Sequence, residues 1–312
     1  MYYHRDELSS YDNGEAKVVM NGWFTHRPEN WPPSEKINPL FVAFHINSSA
    51  YTQLLSEESI SYLKKYEPIG CRDEVTAQLL REHGVDAYFS SCLTTTLGYK
   101  YKNTEAERDK IYIVDPVHYV PEASSRFRKY LFMFYYLRHY KGINRYIESL
   151  KENNRYDLKY NKKNFSRFLS IVRSYVVLRQ ILTPKELEDA IILTQYHDSS
   201  EYPTNKQRFD RAEELIKMYS TAKLVITSRI HCALPCLGLE TPVLFLQNLD
   251  DSQESICRFQ GLLNLMHVIS FKRNKIIDSP FNLPVLSSLV TVIKGYRAYA
   301  DKLINMVCSF FD

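Results

Sequence analysis

The sequence predicts an α/β chain of two parallel-sheet domains, and three observations predict it. Apolar strand-like runs alternate with amphipathic helical stretches, the pattern that covers a parallel sheet on both faces. The polar stretch KYKNTEAERD, residues 100–109, interrupts the alternation before it resumes. A length of 312 residues exceeds what one core usually organises and suits two. The expected domains are 1–104 and 105–312, the second carrying a helical insertion at about 124–182, with the C-terminal helix free to pack back on the first. Net charge is only +4, from 40 Lys and Arg against 36 Asp and Glu, which excludes a general polycationic coat for nucleic acid. The start, MYYHRDELSS, lacks the apolar stretch of a signal peptide, and no run approaches the roughly 18 apolar residues of a membrane span. A cytoplasmic location follows as an expectation.

In order along the chain, KVVM (17–20), PLFVAFHI (39–46) and VDAYFS (85–90) read as strands. Between the last two, SEESISYLKKY (56–66) and DEVTAQLLREHG (73–84) read as helices, the latter with Asp73 at its start and Gly84 at its stop. The second domain begins at KIYIVDP (110–116). It resumes with DAIILTQYH (189–197), the helical NKQRFDRAEELIKMYS (205–220) and the strand AKLVIT (222–227). HVISF (267–271) is a further strand, and 284–311 reads as mostly helical.

The block 126–179 is unlike the rest. Fourteen basic residues face three acidic ones, a local net charge of +11, and aromatic residues such as Tyr130, Phe134, Tyr140 and Tyr175 are interleaved. Two readings stand. Either the helices settle on anionic lipid or grip a diphosphate-linked acceptor, or the aromatics pack inward and the charges are solvated. At TPKEL, Thr183, Pro184 and Glu186 stand as N-cap, first helical residue and capping-box partner.

The segment VITSRIHCALPCLGLETPVLF, 225–245, reads as strand, turn, short helix and strand. Pro235 has no N–H and fits the first helical turn best, so the helix is expected to begin near His231 or Cys232. Ser228, Arg229 and His231 then lie at the end of a parallel strand and the start of a helix, where unpaired N–H groups favour a phosphate or carboxylate. Arginine adds two-pronged hydrogen bonding, and His231 can move a proton near neutral pH. Arg72 follows another strand in IGCRDEVTAQLL, with Asp73 as the helix cap. The six cysteines form no CxxC pair; Cys232 and Cys236, one turn apart beside His231, read either as core thiols or as part of a metal site.

AKLVITSRIHCALPCLGLETPV, together with GCRDEVTAQLL and SSCLTTTL (90–97), resembles the polysaccharide pyruvyl transferase family, and the likeness extends to NGWF (21–24) and to 31–46. RFQGLLNL (258–265) is a weaker echo. The resemblance implies a GT-B-like fold of two Rossmann-like domains with an interdomain cleft. It also implies transfer of the enolpyruvyl group of phosphoenolpyruvate onto two sugar hydroxyls, giving a pyruvate ketal and phosphate in bacterial surface-polysaccharide biosynthesis. Phosphoenolpyruvate is then a co-substrate, with no cofactor and no metal. By position, the family's donor contacts correspond to Arg72, Arg229, Ile230 through its backbone, and His231, with Ser228 beside them. Asp73, Glu240 and Arg258 are the acceptor-side candidates. The acceptor that the resemblance implies is a saccharide, carried on a lipid such as undecaprenyl diphosphate at the inner face of the plasma membrane.

The chain departs from the family pattern twice. No glycine-containing NIGD-like segment precedes Asn21, so the first domain is expected to be short at its N-terminus. Glu240 stands where a small residue, commonly Gly, is expected; it reads as a turn residue or as an extra carboxylate. The competing functions are a nucleotide-sugar glycosyltransferase, which would need arginines for its diphosphate, and a non-catalytic scaffold of polysaccharide assembly.

Overall fold

The structure, a computed structural model, describes residues 4–23, 27–103, 107–117, 126–153, 162–197, 201–251 and 258–312. The chain forms two compact units. The first comprises Met1–Thr96, Ser252–Leu265 and Lys294–Asp312, and the second Leu97–Asp251 and Met266–Ile293. Phe24 of the NGWF motif and Cys257 lie outside the described residues.

In the first unit, β1 (Ala16–Trp23) and β2 (Ile37–His45) are followed by the single turn α1 (Tyr51–Leu54) and by α2 (Glu57–Lys64). Then come β3 (Ile69–Cys71), α3 (Glu74–Glu82) and β4 (Ala87–Phe89). The four strands lie in the order β1-β2-β3-β4, all parallel, as the alternation of strands and helices predicts. Asp73 caps α3 by accepting from the Thr76 N–H at 2.9 Å, and Gly84 takes φ +73° just past its end. The core is aromatic: Trp31, Phe41, Phe44 and Tyr62 pack ring against ring.

A bulge in β2 decides where this unit's polar end points. Met20 pairs with Phe41, yet Gly22 pairs with Phe44, so β2 carries one extra residue. Ala43 takes it up in the left-handed region at φ 54°. Strand side chains alternate faces, and the extra residue resets that alternation. Phe44 therefore rejoins Phe41 in the core, and His45 faces the other way.

The C-terminal helix Tyr296–Phe311 belongs to this unit. It covers the β4 edge through Tyr299 on Phe89, with ring centroids 5.1 Å apart, and through Lys302 over the Tyr88 ring. The helix starts later than the sequence pattern suggests. Residues 284–295 are irregular apart from the turn Ser287–Leu289, because they spend their apolar side chains Val285 and Val290 in the core of the second unit.

The second unit starts with the turn α4 (Gly98–Tyr101) and β5 (Lys110–Val114), then α5 (Arg126–Asn153), α6 (Lys162–Ile181) and α7 (Pro184–Asp189). It continues through β6 (Ile191–Leu193), α8 (Asn205–Ser220), β7 (Ala222–Thr227), α9 (Ile230–Gly238), β8 (Val243–Asn248), β9 (His267–Lys272) and β10 (Lys275–Asp278). The strand order is β10-β9-β8-β7-β5-β6, parallel except for the β9–β10 hairpin. The order turns about β5: the chain leaves β5 toward β6 and leaves β7 toward β8. The crevice at the carboxyl ends of β5 and β7 is thus a topological switch point, the usual ligand position in an open α/β sheet.

The basic block forms the layer that connects β5 to β6. Phe132, Ile143, Tyr146 and Leu150 of α5, with Val172, Leu178 and Ile181 of α6, pack on Ile111, Ile113, Leu224 and Ile226 of the sheet. α8 and α9 pack against β7 and β8. Among the described residues no helix is long and apolar enough to cross a membrane.

Candidate functional site

Each unit gathers polar groups at the carboxyl ends of its strands. In the first, His45 ends β2, and Arg72 and Asp73 follow β3. His45 Nδ1 lies 2.6 Å from Asp73 Oδ2, with both side chains buried. The other Asp73 oxygen accepts from the Thr76 N–H and hydroxyl, so the carboxylate is fixed. Arg72 is 8 % exposed, its Nε is 4.0 Å from Asp73 Oδ2 and makes no hydrogen bond among the described residues. At the end of β4, the buried Ser91 Oγ likewise has no partner among the described residues, and Ser91 sits at φ 64°.

Arg258 lies close enough for its positive charge to act on both Arg72 and His45. Burial lowers the His45 pKa, the Asp73 hydrogen bond opposes this, and the Arg72 charge adds to the lowering. A neutral imidazole is favoured, donating through Nδ1 to Asp73. Burial also lowers the Arg72 pKa, and Asp73 pulls it back up. The Asp73 carboxylate is engaged by His45 and Thr76, while the buried Arg72 Nε has no partner among the described residues, an arrangement that is costly without a further acceptor.

In the second unit, the switch-point crevice is organised by Asp115. This residue follows β5 in the left-handed region at φ 41°. Its carboxylate accepts from the Thr194 hydroxyl at 2.6 Å, the Gln195 N–H at 3.0 Å and Arg229 Nε at 3.1 Å. Its carbonyl accepts from the Ser228 hydroxyl at 2.7 Å. One residue thus ties together the ends of β5, β6 and β7 and sets the plane of the Arg229 guanidinium. Ser228, expected as a donor ligand, spends its hydroxyl proton on this backbone brace.

Arg229 is the N-cap of α9, which begins at Ile230. By helix geometry the N–H groups of Ile230 and His231 have no intrahelical acceptor. His231 is exposed and Ile230 buried. The helix begins earlier than the proline argument predicts, and Pro235 sits inside it. The reason is that α9 is buried almost throughout, so apolar packing outweighs the backbone hydrogen bond that Pro235 denies to the His231 carbonyl.

Glu240 is not brought to this turn. It lies past the far end of α9, at φ 54°, with its carboxylate 2.5 Å from Lys102 Nζ. The backbone conformation is the one glycine adopts most easily, which accounts for the residue type expected there. Cys232 and Cys236 are fully buried, and burial pushes the Cys236 thiol well up, so both are core thiols.

Sequence reasoning missed His45 and Asp115. Asp115 had a usable signal, a carboxylate directly after the buried strand KIYIV. His45 had none, since its partner is 28 residues away and its facing depends on the bulge.

A family model described as polysaccharide pyruvyl transferase matches residues 6–251. That span holds His45, Arg72, Asp73, Asp115, Arg229, His231 and Glu240, and leaves out Arg258. No curated protein and no solved structure matches.

Proposed function

The chain belongs to the polysaccharide pyruvyl transferase family, and from that premise we propose that it moves the enolpyruvyl group of phosphoenolpyruvate onto two hydroxyls of one sugar. The acceptor in this reading is a lipid-linked precursor of a surface polysaccharide. The observation that carries the donor assignment is the buried Arg72 Nε, which has no hydrogen-bond partner among the described residues. It is supported by a second arginine held ready at the start of α9. Phosphoenolpyruvate carries a carboxylate and a phosphate, and an arginine suits either group.

The chemistry balances without redox. A proton adds to the methylene carbon, leaving carbon 2 electrophilic, and the first sugar oxygen bonds there as its hydroxyl loses a proton. The bond from carbon 2 to the phosphate oxygen then breaks with its electron pair. The second sugar oxygen takes that place and gives up its proton, so the two hydroxyl protons end on the new methyl group and on phosphate. We assign His231 as the acid for the methylene or the leaving phosphate. The neutral His45, oriented by Asp73, is the base for a sugar hydroxyl. Arg72 and Arg229 hold the anionic groups.

Phosphate release from phosphoenolpyruvate in the presence of acceptor tests the reading. His231→Ala is expected to lower turnover by about 10² or more, and wild-type turnover in that variant would remove His231 from the mechanism. Phosphoenolpyruvate is expected to raise Tm, and a nucleotide sugar is not. The reverse result would make the protein a glycosyltransferase.

A further inference from the structure

The outer face of α5 is built unlike any other described surface of the protein. Its inner face, Phe132, Ile143, Tyr146 and Leu150, lies in the core. The opposite face begins with Tyr130, Phe134 and Leu137, which are 74 %, 56 % and 65 % exposed, flanked by exposed Met133 and Tyr140. Helical spacing puts Tyr130, Phe134 and Leu137 in one line, about 10 Å long at 1.5 Å per residue. At its end the apolar line gives way to the exposed cations Arg138, Lys141 and Arg145. The change of character coincides with a local break in the helix at His139, φ −125°. Arg179 of α6 reaches that ring at 2.9 Å. Exposed apolar area of this kind on a helix that already has a buried face needs an occupant.

Charge selects the occupant. Residues 126–147 hold six arginines and lysines and no carboxylate. Arg145 is already paired with Glu188 at 2.9 Å. A second copy of the chain docking by the same face would bring Arg138 and Lys141 against their own kind, and a neutral surface would leave these two without a counter-charge. An anionic bilayer satisfies both halves. Aromatic and aliphatic side chains enter the headgroup boundary, while Arg and Lys stems run along it to the phosphates.

We propose that the outer face of α5 between Tyr130 and Lys141 is a docking surface for an anionic lipid bilayer, with Tyr130, Phe134 and Leu137 inserted and Arg138 and Lys141 on the headgroups. The helix lies on the membrane and does not cross it. This assignment is independent of the transfer chemistry.

The test is co-sedimentation of the full chain with phosphatidylcholine vesicles, with and without phosphatidylglycerol, at about 0.1 and 0.5 M salt. The wild type is expected to pellet with the anionic vesicles only, and less so at the higher salt. Phe134→Ser combined with Leu137→Ser, and separately Arg138→Glu combined with Lys141→Glu, are each expected to weaken binding on the order of tenfold or more. Because all four side chains are exposed, Tm and turnover on a soluble acceptor should stay at wild-type levels. A wild type that remains in the supernatant overturns the proposal, as does undiminished binding by both double variants. So does light scattering that shows a dimer split by the Phe134 and Leu137 changes, since the face would then be covered by a second copy.

Discussion

His45 and Asp115, neither singled out from the sequence, organise the polar strand ends of the two units, and each makes a separate prediction. Asp115 binds the Arg229 guanidinium and two further strand ends. Asp115→Asn keeps a side chain tolerant of positive φ and able to accept from Gln195, while removing the charge that orients Arg229. We expect KM for phosphoenolpyruvate to rise by about tenfold with kcat less affected, measured by phosphate release. Asp115→Ala also leaves donors unsatisfied and should cost about 1–3 kcal/mol in urea unfolding. For His45, burial lowers the pKa below its ordinary 6.5 in the folded chain, so the unfolded chain takes the proton first as pH falls. The stability tied to this group is intact above pH 6.5 and declines below it until the folded imidazole also titrates. His45→Gln should therefore flatten the fall in Tm between about pH 7 and 5, and an unchanged slope would show that His45 does not titrate differently on folding. Neither residue could have been paired with its partner from the sequence, because Asp73 and Arg229 lie 28 and 114 residues away from them.

At the level of elements, legibility follows how local the determining physics is. α8 occupies the stretch expected of it, Asn205–Ser220, because its Thr204–Gln207 capping box lies within four residues of chain. α9 starts earlier than expected because burial, a property of the whole sheet, decides against the proline rule. The β2 bulge left no mark in the strand pattern of PLFVAFHI, since every residue from Phe41 to His45 is buried and alternation is invisible there. Glu240 gives a prediction at this scale. Glu240→Gly relieves the left-handed backbone, a gain of about 0.5–1 kcal/mol. It forfeits the half-exposed Lys102 pair, which is worth about 0–1 kcal/mol. Thermal unfolding should show a change between neutral and mildly stabilising, with the donor KM unchanged. A large rise in the acceptor KM would show that Glu240 acts on the acceptor side.

For the whole molecule, the family and the α/β class were readable from motifs at strand ends, whereas the segments that complete each unit were not. The first unit takes in residues from three separate stretches of chain, and its final helix seals the β4 edge through Tyr299, Lys302 and Met306. Truncation before Lys294 should expose Tyr88 and Phe89, and limited proteolysis should then cut the first unit while sparing the second; equal protection of both would contradict the assignment. A consequence appears during synthesis. Domains ordinarily mature in the order in which they leave the ribosome, but here the N-terminal unit lacks its last helix until the second unit has been translated in full. The part made first is therefore finished last, and until then its open strand edge is what a chaperone would have to guard.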